Sequence, residues 1–97
     1  MKIEWLENAN KDLIQIYLYI YKDSSYFASK TINEIINSIN ILLLFPKAGR
    51  LVQEFPEKDL RELIYKSYRI IYEIKSNRIV IHRIWHSARL LSKDIIS

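Results

Sequence analysis

Cysteine is absent from this 97-residue chain, and glycine and proline together supply three residues. Without cysteine there is no disulfide framework, thiolate nucleophile or thiolate metal site, a pattern that fits a reducing compartment. One glycine cannot build the Gly-rich loops that cradle nucleotide phosphates. So few breakers also leave little room for a long linker, and neither an internal repeat nor a low-complexity tract is present. Long apolar runs are missing too. The longest strongly apolar run covers residues 41–45, against the roughly 20 residues of a membrane-spanning helix. The opening residues, Met1-Lys2-Ile3-Glu4-Trp5-Leu6-Glu7, mix acids with apolar side chains and do not read as a secretory signal. The cytoplasm is the expected setting, with no membrane partner.

What remains is a chain that is 49% hydrophobic, enough for one folded domain over residues 1–97 with a modest core. The formal net charge is +4, and its placement is uneven. Residues 1–59 hold seven Lys/Arg against eight Asp/Glu; residues 60–97 hold eight against three. All six arginines lie from Arg50 onward. A basic second half suits phosphates or an acidic partner.

The apolar period changes along the chain. Residues 2–6 read as a short strand. Ala9, Leu13, Ile16 and Ile20 recur at helical spacing, which predicts a helix over residues 8–22. Ile14, Leu18 and Tyr21 form a second apolar stripe on it, open to burial or to a partner. Asp23-Ser24-Ser25 breaks the pattern and offers an N-cap. Ile32, Ile35, Ile36, Ile39, Leu42 and Leu43 then mark a second helix that stops at Phe45-Pro46. Past Gly49 the period falls to two. Strands are predicted over residues 60–65, 68–74 and 79–85. In the last, Ile79, Ile81, Arg83 and Trp85 would share one face, and Val80, His82, Ile84 and His86 the other. A short helix over residues 87–96 could close the chain. The expected fold is α+β, β-α-α-β-β-β with a possible C-terminal helix: an N-terminal strand and helical hairpin packed on an antiparallel meander.

Most catalytic signatures are excluded. His82 and His86 lie four apart on a predicted strand, about 13 Å along it, too far for one zinc ion with bonds of about 2 Å. Neither metal nor cofactor is expected. The cationic set is Arg61, Arg69, Arg83, Arg89, His82 and His86. Arginine forks hold phosphate and stabilise phosphoryl transition states, and histidine passes protons near neutrality. A metal-free ribonuclease could draw on His86, Arg69 and Arg89, with Glu54, Glu62 or Glu73 as base. Arg61 and Arg83 are candidate contacts to nucleic acid or another target. Each residue also has a plain structural reading: a packed strand histidine, a cross-strand ion pair, a C-terminal tie. Tyr17, Tyr21 and Tyr65 are the tyrosines freest to stack, whereas Tyr68 and Tyr72 share a strand face with Ile70 and Ile74 and read as core.

The order of landmarks resembles a known family. Trp5, Ala9-x-x-Asp12-Leu13-x-x-Ile16 and Tyr19-Ile20 resemble the first strand and helix of RelE/ParE toxins. Leu44-Phe45-Pro46-x-x-Gly49-Arg50 looks like that family's helix-to-sheet junction. Arg61-Glu62-Leu63, Tyr68-Arg69-Ile70-Ile71-Tyr72-Glu73-Ile74 and Ile84-x-His86-x-x-Arg89 resemble its strands and closing motif. The match spans about nine-tenths of the chain. The resemblance implies a growth-inhibiting toxin, chromosomal or plasmid-borne, neutralised by a cognate antitoxin, with Ile14, Leu18 and Tyr21 as the expected antitoxin-binding stripe. Two targets are implied within the family: DNA gyrase for ParE-like members, and messenger RNA in the ribosome for RelE-like endoribonucleases. Arg69 matches an arginine the nucleases place on the scissile phosphate, and His86 and Arg89 fall where some keep a histidine or arginine. No tyrosine follows Tyr72, so the nucleases' late catalytic tyrosine is missing. The long hairpin and the His-x-x-Arg ending look more ParE-like. A third expectation is a basic binding module without toxicity.

Overall fold

Residues Lys2–Trp5 form strand β1, and the chain turns at Leu6 into helix α1, Glu7–Tyr21. No side chain caps the start of α1, but Glu7 sits in its first turn, where an acid suits the helix dipole, and pairs with Lys11 one turn on at 3.3 Å. Helix α2, Ser25–Ile41, starts at the predicted cap: the Ser24 hydroxyl accepts a hydrogen bond from the Phe27 amide at 3.1 Å. The two helices pack as a hairpin over one face of a sheet.

Among the described residues that sheet has five strands. Beyond β1 they are β2, Arg50–Leu51; β3, Leu60–Tyr65; β4, Tyr68–Ile74; and β5, Arg78–His86. Their spatial order is β1-β5-β4-β3-β2. The expected meander is present as β3-β4-β5, with antiparallel pairing throughout. Two features add to it. β1 pairs parallel to β5, from Lys2 opposite Arg78 to Trp5 opposite Ile81, so the sheet is mixed. The short β2 pairs antiparallel to β3 and forms an edge. The β3–β4 turn holds only Lys66 and Ser67, and Lys66 takes a left-handed φ of 50° without being glycine.

The core lies between the helices and the sheet. Ala9 and Ile16 of α1, Ile35 and Ile39 of α2, Ile70 and Tyr72 of β4, and Ile79, Ile81 and Ile84 of β5 meet there. A smaller cluster on the opposite face joins Val52 and Phe55 of the 52–59 loop to Leu60, Ile71 and Trp85. The strict alternation expected along β5 fails at one place. The register steps from Ile71 opposite Arg83 to Tyr72 opposite Ile81, leaving His82 in a β-bulge. Ile84 thereby joins Ile79 and Ile81 on the helix side instead of facing away with Val80 and His82, and Trp85 turns to the other cluster. The structure describes residues 1–88 of this computed structural model. Arg89 and nearly all of the expected closing helix lie outside the described residues.

Candidate functional site: a locked arginine and an open helix stripe

On the face away from the helices, neighbouring strands bring charged side chains together. Register places Arg50 opposite Glu62, and Arg69 opposite Ile64, two residues further along β3 on the same face. Glu62 is held between two arginines. One of its oxygens accepts from Arg50 Nε at 2.7 Å; the other accepts from Arg69 Nε at 2.7 Å and also from Arg69 Nη2. Glu54, on the 52–59 loop, takes the outer edge of the same guanidinium, accepting from Nη1 at 2.7 Å and Nη2 at 2.9 Å. All three Arg69 nitrogens therefore meet carboxylate oxygens. The side chains of Glu62 and Arg69 are 2% and 12% exposed, against 35% for Glu54 and 67% for Arg50. Hydrogen bonding to Glu54, and behind it to Glu62, raises the Arg69 pKa above its ordinary value. The reciprocal bond from Arg69 holds the Glu54 carboxyl below the usual range. Around them opens a pocket of about 530 Å³, lined also by Gln53, Ile64 and Ser87.

His86 is elsewhere. Tyr68 lies opposite His86 and Arg69 opposite Trp85, and successive residues of a strand point to opposite faces. The His86 ring meets the edge of Tyr68 at 5.6 Å on the helix side, in a groove of about 670 Å³ shared with Leu18, Tyr19 and Lys22 of the α1 end. The sheet thus separates the two residues expected to share a phosphate. The third, Arg89, lies outside the described residues.

The other expected cations are engaged within the fold. Arg83 gives Nε and Nη2 to the two Asp12 oxygens at 2.7 and 2.8 Å, and stands over the Trp85 ring. Asp12 also accepts the Ile84 amide at 3.0 Å, on the edge of β5 that β1 leaves uncovered past Ile81. Arg61 donates to the Gly49 carbonyl at 2.8 Å. Next to it the buried Tyr72 hydroxyl donates to the Pro46 carbonyl and accepts from the Gly49 amide at 2.9 Å, which fixes the α2–β2 connection. His82 meets Glu73 at 3.0 Å; burial opposes ionisation of Glu73, but its bonds to His82 and Lys75 prevail and lower its pKa. The three carboxylates considered as bases are thus all in ion pairs. Of the tyrosines read as free, Tyr65 donates to Glu34, and burial followed by that carboxylate pushes its hydroxyl up to about 12. Tyr17 and Tyr21 lie ring against ring at 5.6 Å.

The apolar stripe of α1 does face solvent. Ile14, Leu18 and Tyr21 are each more than half exposed, and Tyr19, Tyr26 and Phe27 join them around the helical hairpin. A second apolar group, Leu44 and Phe45 after α2 with Leu51 of β2, is also exposed. Periodicity hides Leu44 and Phe45, because they follow closely on a run whose Ile35, Ile39 and Leu42 do enter the core.

A helical hairpin on a five-stranded mixed sheet, with Arg61, Arg69 and Arg83 bonded within the fold and an apolar stripe left open, defines a small α+β domain whose Arg69 and His86 lie on opposite faces of the sheet. Comparison with known proteins gives the family. The family described as "ParE toxin of type II toxin-antitoxin system, parDE" matches residues 3–91, and the chain belongs to it. Among solved structures, a chain of the "Chromosomal ParDE TA system from P. aeruginosa" is similar at 25% identity and a TM-score of 0.75, covering 89% of this chain and 95% of that one. No curated protein matches.

Proposed function

We propose that this chain is a type II toxin that inhibits growth by engaging DNA gyrase through its surface, without a chemical step of its own, and that a cognate antitoxin neutralises it by laying an apolar helix along Ile14, Leu18 and Tyr21. The observation that carries the non-catalytic reading is the separation of Arg69 from His86. A ribonuclease needs its phosphate-binding cation and its proton donor around one phosphate. Here Arg69 is shared by Glu54 and Glu62 on one face of the sheet, while His86 stands on the other. Family membership supports both the toxin role and the antitoxin partner. The alternating spacing of four and three from Ile14 through Leu18 to Tyr21 gives the narrow seam that pairs with another helix.

The test is induced expression of the chain alone in bacteria, with transcript ends mapped by primer extension and plasmid supercoiling followed in the same culture. The expected result is altered supercoiling with intact transcripts, alongside direct inhibition of purified gyrase by the purified chain. His86→Ala, at an exposed position, should leave growth inhibition within a few-fold. Rapid transcript cleavage that this substitution abolishes by orders of magnitude would make the chain a nuclease. Growth unaffected by well-expressed protein would point to a non-toxic binding module.

A further inference from the structure

The four charged residues on the open face are not equivalent. Glu62 is buried on β3, holds both arginines and has nowhere to go. Glu54 is bound just as closely, yet its side chain reaches Arg69 from a loop and is partly in water. That loop is anchored on either side of Glu54 by the buried Val52 and Phe55. Its side chain can therefore swing out while the backbone stays fixed. Removing it would open the outer edge of the Arg69 fork, and Arg50, which reaches Glu62 through Nε, lines the same pocket.

We propose that Arg69 and Arg50 form a docking site for a carboxylate side chain of a protein partner, and that Glu54 fills this site in the free chain as an exchangeable plug. The bidentate contact that Glu54 makes is the one a partner's Asp or Glu would reproduce. Displacing Glu54 leaves two guanidiniums facing one fixed carboxylate, an excess positive charge that a single incoming acid cancels. One neighbour favours protein over nucleic acid. Ile64 lines the pocket and is exposed, so an apolar residue next to the partner's acid finds cover there. In naming the antitoxin as that partner, the inference rests on the reading above; the site itself does not. Because part of the binding free energy goes into expelling Glu54, the apparent affinity is lowered by the fraction of time the plug is out.

The plug can be tested on the full chain by following the Arg69 and Arg50 side-chain nitrogens by NMR while titrating N-acetyl-glutamate N-methylamide, with inorganic phosphate and a short oligouridylate as comparison probes. The expected result is saturable binding of the carboxylate to Glu54→Gln at least about tenfold tighter than to the parent chain, lost again when Arg50→Ala is added. Glu54→Ala covers the case in which the new amide itself stays on Arg69. Equal affinity with and without Glu54, or no saturable shift in either variant, overturns the proposal. Tighter binding of phosphate or oligouridylate than of the carboxylate overturns it in favour of a nucleic-acid partner. The titration uses neither antitoxin nor growth, so its failure leaves the toxin reading standing, and a failed toxicity assay leaves the plug standing.

Discussion

Asp12 ties helix α1 to the uncovered edge of β5, and its removal should be felt by the whole domain. Its carboxylate accepts three bonds, two from Arg83 and one from the Ile84 amide, and the side chains of Asp12 and Arg83 are 12% and 18% exposed. Asp12→Ala takes two charge-assisted bonds from a mostly buried guanidinium and leaves an edge amide without its acceptor. Breaking a fully buried pair from one side costs about 3–5 kcal/mol; partial exposure of both groups puts the loss near the lower end, about 3 kcal/mol. For a domain of this size that lowers Tm by about 12–24 °C. It also takes a large share of the roughly 5–15 kcal/mol that holds a typical domain folded. Thermal and urea unfolding followed by circular dichroism measure it. The double variant with Arg83→Ala should be less destabilised than the sum of the two singles by about 2 kcal/mol, because one interaction is lost twice in that sum. A Tm within about 3 °C of the parent, or strictly additive losses, would refute the view that this pair couples helix to sheet.

Three further outcomes are expected. At Gly49 a Cβ would come within 2.6 Å of the Glu62 carbonyl oxygen and 2.7 Å of the Tyr72 ring, so Gly49→Ala should cost about 1–3 kcal/mol, read as a lower urea midpoint. The bond from Arg69 holds the Glu54 carboxyl in the folded chain below its ordinary value of 4.5, so its contribution is present above that pH and fades as the pH falls through the folded value. The stability difference between parent and Glu54→Gln should therefore be largest near neutrality and shrink on acid titration below pH 4.5; a gap that widens in acid contradicts the ion pair. Leu18→Glu, on the exposed stripe, should leave the urea midpoint nearly unchanged while weakening antitoxin binding by about 30-fold or more in calorimetry, the mark of an interface anchor worth about 2 kcal/mol.

Period and punctuation made most of the architecture readable. Ser24 as a cap and the two-residue alternation of residues 60–74 act locally, and the elements they delimit formed within a residue or two of expectation, whereas α2 ends at Ile41, about one turn short of the expected stop at Phe45-Pro46. Pairing between distant segments left no local trace: nothing in residues 2–5 says that they run parallel beside residues 78–81, and Arg50 and Leu51 are too few for any period. The bulge at His82 was hidden for the same reason, since it belongs to the pairing of two strands and not to either one. That matters for the site, because the faces of Trp85 and His86 follow from it. Arg69 was legible as an important cation, but its partners were not. By sequence Glu54 and Glu62 read only as possible bases, because sequence shows which groups are charged and not which of them neutralise each other. The α1 stripe was legible from spacing, but its exposure was not, because the same spacing suits a helix buried on two faces.

The parallel contact between β1 and β5 carries a consequence for how the protein comes into being. Residues 2–5 have no strand to lie against until residues 78–81 have been made, and contacts so distant in sequence are slow to close. During synthesis the helical hairpin has all of its own residues long before β5, the strand that joins β1 to β4, has been made. The nascent chain therefore passes through a long interval with its helices available and its sheet unfinished. Every surface that depends on the β4–β5 pairing, the Tyr68–His86 groove among them, is assembled last among the described residues, so the finished sheet arises only after β5 has been translated.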